Sequence, residues 1–224
     1  MKGMKSVTTN TTNEVSSPVL PFDDAHIDML TEFASMGTAY AATALSSMID
    51  KTVRVTALNA SWVDFQNISD FIGGPDNVVA GIIASLSGDM QGMVIHLMEL
   101  QSANMVLDVM LNRPPSEKTV LERADFSEME RSALNELGNI MLGSYINPLA
   151  NMVNCKILLS PPSLALDMAN AILAVPIIEF GMLSDKALLI QSELTIDNID
   201  FSGCFTFTPN VDSFKQLLQS LKVV

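Results

Sequence analysis

The feature that most constrains this chain is that it resembles itself. Shifted by 104 residues, "EFASMGTAYAATALSSMIDKTVRV" (32–55) falls on "ELGNIMLGSYINPLANMVNCKILL" (136–159). Glu32 meets Glu136, Met48-Ile49-Asp50 meets Met152-Val153-Asn154, and Val53 and Val55 meet Ile157 and Leu159. A second correspondence, offset by 111, sets "GDMQGMVIHLMELQSANMVLDVML" against "DFSGCFTFTPNVDSFKQLLQSL", so that Gly92 meets Gly203 and Ser102 meets Ser213. Two copies of one supersecondary unit share a core most economically about an approximate two-fold axis.

Each copy reads helix, strand, middle segment, glycine turn, strand, helix. Asp23 or Asp24 can cap a first long helix reaching to about Asp50, and the Ser-x-x-Glu spacing of "SEME" (127–130) opens the second as a capping box. "TVRVTAL" (52–58) and "CKILLS" (155–160) are predicted strands, and Trp62 with "DFQNISDF" a strand end and a short helix packed on the core. Residues 78–98 and 187–209 each read as a hairpin with glycine supplying the turn. "SANMVLDVML" and "VDSFKQLLQSL" are closing helices with apolar stripes. The expected fold is α+β: two fused pseudo-two-fold repeats whose long helices pack on a largely antiparallel sheet. The half-repeats span about 22–112 and 126–222, joined by loop 112–125, and form one domain over 22–224. Residues 1–21, rich in Ser, Thr and Asn, read as a disordered tail without the apolar stretch of a signal peptide.

Composition excludes several functions. Twenty-five acidic against 12 basic residues give a net charge of −13, which disfavours a phosphate backbone or an anionic membrane as partner. Mean hydropathy is +0.32, yet the uncharged runs Phe33–Ile49 and Leu137–Cys155 are broken by small and amide residues and by Pro148, unlike a membrane span of about 20 apolar residues. Cys155 and Cys204 form no CxxC pair and suit a reduced, cytoplasmic setting. His26 and His96 lack partners at metal-ligand spacing, and His96 alternates within a strand as a structural residue does. No nucleophile elbow, P-loop or dinucleotide fingerprint is present.

What remains is a polar stripe. At about 100° per residue, Ser132, Glu136, Asn139, Gly143 and Asn147 fall within roughly 80° of one another, opposite Leu134, Leu137, Met141, Tyr145 and Pro148. The first half repeats the stripe with Asp28, Glu32, Ser35, Ala39 and Thr43. Spacing alone fits any solvated helix face. The small and amide character of the stripe and its recurrence in both halves single it out as a surface that a partner can approach closely.

These residues carry a specific likeness. Ser132-x3-Glu136-x2-Asn139, followed after 22 residues by Pro162, resembles the D/S-x3-E-x2-N-x22-P motif of the CheC/CheX/FliY phosphatase family. "SEMERSALNELGNIMLGSYINPLANM" resembles the family's second motif, "EFASMGTAYAATALSSM" its first, and the likeness extends over about residues 24–222. The resemblance implies a CheC-type cytoplasmic chemotaxis protein that hydrolyses the aspartyl phosphate of the response regulator CheY. In that implication the Asn139 amide orients the attacking water and Glu136 pairs with the regulator's active-site lysine. Pro162 shapes the start of the adjoining strand and Ser132 lies beside the site. No metal or other cofactor belongs to the chain itself, since the regulator supplies Mg²⁺ with its phosphoaspartate.

The first half departs from the motif. Asp28 and Glu32 are kept, but Ser35 stands in place of the asparagine and Leu58 in place of the proline. A serine hydroxyl is shorter than an amide and does not present its separate donor and acceptor. One competent site is therefore expected, with Asp28, Glu32 and Ser35 as a degenerate second. The alternative is a non-catalytic binding module: a sink for phosphorylated CheY, a regulator of the deamidase CheD, or a flagellar-switch scaffold. A structural dimer built on an apolar sheet edge is the remaining possibility. Because the fused halves already pair their long helices, the chain is expected to be a monomer.

Overall fold

The computed structural model describes residues 24–115, 126–180, 186–197 and 199–221, so the expected tail and most of the joining loop lie outside the described residues. Helix α1 (Asp24–Ile49) leads into strand β1 (Val53–Asp64), a 3-10 turn (Phe65–Ile72), the hairpin β2 (Val78–Gly88) and β3 (Gly92–Glu99), and helix α2 (Leu100–Met110). The second half runs α3 (Glu128–Met152), β4 (Ile157–Leu159), β5 (Ser163–Met168), α4 (Ala169–Phe180), the hairpin β6 (Lys186–Ile196) and β7 (Ile199–Pro209), and α5 (Val211–Leu221). The mixed α/β fold with its antiparallel sheet is the one the sequence implies.

The seven strands form one sheet ordered β1-β6-β7-β3-β2-β4, with β5 also paired to β2, and all these pairings are antiparallel. Its centre is β3 against β7. There Ile95 lies opposite Thr206, its own counterpart at the offset of 111, which puts the pseudo-two-fold axis through that pair. Two hydrogen bonds repeat the symmetry across the seam. The backbone N–H of Ser202 donates to Ser102 Oγ at 3.3 Å, and that of Gln91 donates to Ser213 Oγ at 2.8 Å. Ser102 and Ser213 are repeat counterparts, and so are Gln91 and Ser202.

The halves are interlocked. β1 of the first half pairs with β6 of the second, while β4 and β5 of the second pair with β2 of the first. Each hairpin thus gets its outer neighbour from the other half, and separating the halves would expose sheet edges on both.

Strand alternation assigns the two faces of the sheet. Ala80, Ile82, Ala84 and Leu86 of β2 point into the larger core beneath α1 and α3, joined by Val94, Met98, Leu188, Ile190, Phe205 and Phe207. Val79, Ile83, Ile95, Leu97 and Leu189 face the opposite side, covered by Ile68 and Ile72 of the 3-10 turn and Ile172 and Leu173 of α4. α1 and α3 meet closely because α1 carries Gly37, where a Cβ would overlap the Tyr145 ring. Tyr145 is fully buried, stacks on Phe205 with ring centroids 4.4 Å apart, and its hydroxyl hydrogen-bonds Thr38 Oγ1 at 3.0 Å.

The structure corrects the turn assignment in one hairpin. In the first, glycine does supply the turn: Gly88 has φ +97° beside the Lys156 carbonyl. In the second, the chain reverses at Asp197, with φ +50°, and Gly203 lies mid-strand in β7. Gly203 is required there for a different reason, because a Cβ would come within 2.6 Å of the His96 ring. β1 also continues beyond the expected Leu58 to Asp64, so that Trp62 sits within the strand, edge-on to Phe214 of α5 at 5.2 Å.

Candidate functional site

The N-terminus of α3 is set by local chemistry. Ser127 Oγ accepts from the Glu130 N–H at 3.3 Å while Glu130 Oε2 accepts from the Ser127 N–H at 2.9 Å, the reciprocal capping box expected from the sequence. Arg113, just beyond α2, bonds Asp108 at 2.6 Å through Nε and Glu130 at 2.7 Å through Nη2. Burial works against the Glu130 carboxylate, but the bonds from Ser127 and Arg113 prevail and hold its pKa below the usual range. The end of α2 and the start of α3 are thereby tied together. Sequence reading missed this tie, whose partners are scattered along the chain without a motif.

From that fixed start the helix divides into two faces. Leu134, Leu137, Met141, Tyr145 and Pro148 are buried, whereas Ser132, Glu136, Asn139 and Asn147 are exposed and Gly143 is half-buried. Glu136 and Asn139 stand one turn apart on the solvent side. Between them Gly138 is buried against the sheet, where a Cβ would overlap Ile82 Cγ2 of β2.

Pro162 immediately precedes β5, whose first residues Ser163 and Leu164 pair with Ile83 and Ile82. The far end of the motif therefore comes back beside the strand on which Gly138 rests. Pro161 and Pro162 interrupt what would otherwise be one edge strand, since proline donates no ladder bond. Ser160 bridges the gap. Its N–H donates to the Ser85 carbonyl at 2.9 Å, and its Oγ accepts from the Ser85 N–H at 3.0 Å. Pro162 itself is half-buried.

The first-half stripe is exposed throughout and has different surroundings. Asp28, Glu32, Ser35, Ala39 and Thr43 all face solvent. Ala34, fully buried, takes the repeat position of Gly138. Leu58, the counterpart of Pro162, sits inside β1, opposite Ser192 and two residues beyond a bulge at Thr56. The structure thus places Ser132, Glu136 and Asn139 on the exposed face of α3, Pro162 immediately before β5, and Asp28, Glu32 and Ser35 on the other long helix.

Other candidate chemistry is packed away. His96 is buried in β3, and burial alone lowers its pKa to about 4, so it is neutral at physiological pH. Burial, with Glu99 nearby, pushes the Cys204 thiol up to about 11, the opposite of what a nucleophile needs. Among the described residues no group of His, Cys, Asp and Glu could hold a metal ion, and no helix is long and apolar enough to cross a membrane.

Comparison with known proteins shows what the chain is similar to. The model of the CheC-like family matches residues 129–166, the stretch from the start of α3 through β5. Over 200 residues the chain is 26% identical to the CheY-P phosphatase CheC of Bacillus subtilis (strain 168), covering 88% of this chain and 94% of that relative. Among solved structures, Thermotoga maritima FliY superposes with a TM-score of 0.67 at 17% identity, over 90% of this chain and 98% of that one. The FliM middle domain from H. pylori superposes with a TM-score of 0.61 at 10% identity, over 89% and 99% of the two chains. At such identities these structural matches speak for the fold alone.

Proposed function

We propose, from its likeness to the CheC family, that this chain is a chemotaxis phosphatase acting on the aspartyl phosphate of a CheY-type response regulator. The observation that carries the reading is the exposed Glu136–Asn139 pair, held on the rigid outer face of α3 within the stretch that matches the family. Phosphoaspartate hydrolysis needs a water in line with phosphorus and compensation of charge on the transferring group. Asn139 is both donor and acceptor and can orient that water. Glu136, one turn away, offers a carboxylate to the lysine of the regulator's active site. Ser132 lies one turn before the pair on α3, and Pro162 immediately precedes the strand that pairs with β2 beneath it. In this reading the Mg²⁺ belongs to the regulator, the chain acts as a cytoplasmic monomer, and the α1 stripe is a degenerate site.

Decay of a radiolabelled phospho-regulator from the same genome tests the proposal. Added in catalytic amounts, the protein should shorten the phosphoryl lifetime with multiple turnovers. A stoichiometric lengthening would instead identify a sink for the phosphorylated regulator. That second reading, with CheD regulation or a switch scaffold as its variants, is favoured by one observation: the α1 stripe keeps Asp28 and Glu32 exposed without an asparagine.

A further inference from the structure

Glycine is a costly residue in a helix interior, and Gly138 lies in the middle of α3 between the two residues proposed to act. Its conformation is ordinary: it is absent from the positive-φ glycines, which among the described residues are Gly73, Gly74, Gly88 and Gly92. The reason for it must be space. A Cβ at 138 would overlap Ile82 Cγ2 and come within 3.1 Å of Ile82 Cβ and Cδ1. Ile82 has little room to yield, being fully buried in β2 between His96 of β3 and Leu164 of β5.

We infer that Gly138 is a positioning residue that fixes the height of Asn139 above the sheet. The inference rests on the phosphatase reading and extends it to how the site is held. The Gly138–Ile82 contact sets α3 against β2, and Leu164, paired with Ile82, sets β5 and Pro162 against the same strand. Asn139 and Pro162 therefore share Ile82 as a common reference, although 22 residues separate them in sequence. The first half has Ala34, with its extra methyl, at the corresponding position. The close seat is a property of the half that carries the asparagine.

Gly138→Ala should lift α3 by about 1 Å to restore ordinary contact with Ile82. A misplacement of that size costs on the order of 10²-fold in turnover, so kcat should fall by ~10–100-fold, with KM changed far less because the exposed stripe moves as one piece. Ile82→Ala in the same chain removes the overlapping Cγ2 and also Cδ1, leaving only Cβ at 3.1 Å, and should restore most of the loss. Crystal structures of the two variants supply a readout independent of activity. The Asn139 Cα to Pro162 Cα separation should widen by about 1 Å in Gly138→Ala and return toward the native value in the double variant. A native separation and native kcat in Gly138→Ala would overturn the inference, as would a kcat loss that Ile82→Ala does not relieve. If Gly138→Ala fails to fold, an active, folded double variant supports the inference and an inactive, folded one sinks it. An inactive native protein whose Gly138→Ala separation still widens would refute the phosphatase reading while leaving the positioning intact.

Discussion

The two long helices invite comparison because repetition makes them equivalents and the sheet treats them differently. α1 and α3 each turn a stripe of small and acidic residues to solvent and an apolar stripe to the core. Beneath α3 lies a closely seated strand and an edge broken by Pro161-Pro162. The other half has Ala34 on its helix and one strand, β1, paired with β6 from Val53 to Asp64 with a single bulge at Thr56. A polar pair on a helix is easily made twice. What differs is the ground on which it stands, and on the phosphatase proposal that difference separates a working site from a degenerate one.

The largest contrast concerns stability. Tyr40 and Tyr145 fall within one position of each other in the repeat, yet Tyr40 is 58% exposed and Tyr145 is fully buried. Tyr145→Ala should cost about 3–5 kcal/mol, the range for removing a large buried aromatic. Tyr40→Ala should stay within about 0.5 kcal/mol. Paired urea titrations measure both, and equal costs would break the assignment of Tyr145 as the tie between the helices.

Activity gives the next contrast. Asn139→Ala should lower phosphatase turnover by roughly 10²–10³-fold, as when one positioned donor is lost from a transition state. Glu136→Ala should weaken docking as well, by removing a charge partner. Ser35→Ala and Glu32→Ala should leave the rate nearly unchanged. Retained turnover in Asn139→Ala together with loss in Glu32→Ala would move the working site to α1. All four side chains are exposed, so melting temperatures should barely change.

How much of this was legible beforehand depended on whether the cause was local. The capping box, both long helices, the hairpins and the exposed stripe follow from spacing and side-chain chemistry within a few turns of chain. The exchange of edge strands does not, because pairing β1 with β6 rather than β2 leaves no mark on either strand's own sequence. Gly203 was misread for a related reason. In sequence a glycine between two apolar runs signals a turn, and only the neighbouring His96 ring shows that it clears space within a strand. Arg113 and Gly138 also act through partners distant in sequence, Asp108 and Glu130 for one and Ile82 for the other. The motif was readable residue by residue, while the packing that seats it was not.

A third contrast lies at the seam. His96 of β3 and Phe207 of β7 are repeat counterparts, and both are buried. Only the histidine can take up a proton. Its pKa is lowered by burial from 6.5 to about 4, so the folded state disfavours the charged form. The stabilisation is fully present above about pH 6.5 and is lost as pH falls toward 4, amounting to about 3 kcal/mol across the window. Carboxylates titrate in the same range, so the informative quantity is the difference between the native protein and His96→Phe. Urea unfolding at pH 7 and pH 4.5 should show a smaller acid loss in the variant. An identical loss would mean that His96 is not held neutral.

The smallest expected effect is also the sharpest question about the two halves. Ser35→Asn restores the missing amide on α1 beside Glu32 and returns the first stripe to the motif in its helical part. If the amide alone made a site, the rate should rise by about twofold, one further centre of equal competence. The surroundings argue for less. Ala34 takes the place of the glycine that lets α3 sit close, and Leu58 lies paired within β1, past its Thr56 bulge, where the second half has the break at Pro162. Misplaced by even about 1 Å, an amide loses most of its catalytic value, so Ser35→Asn alone should add little to the Asn139 rate. The measurement is best made in an Asn139→Ala background, where native turnover no longer hides a weak second site. Recovery to half of the native rate or more would show that the helix stripe suffices and that the strand break is incidental. Recovery of a few per cent or less would show that a site of this kind needs the seat beneath the helix as much as the residues upon it.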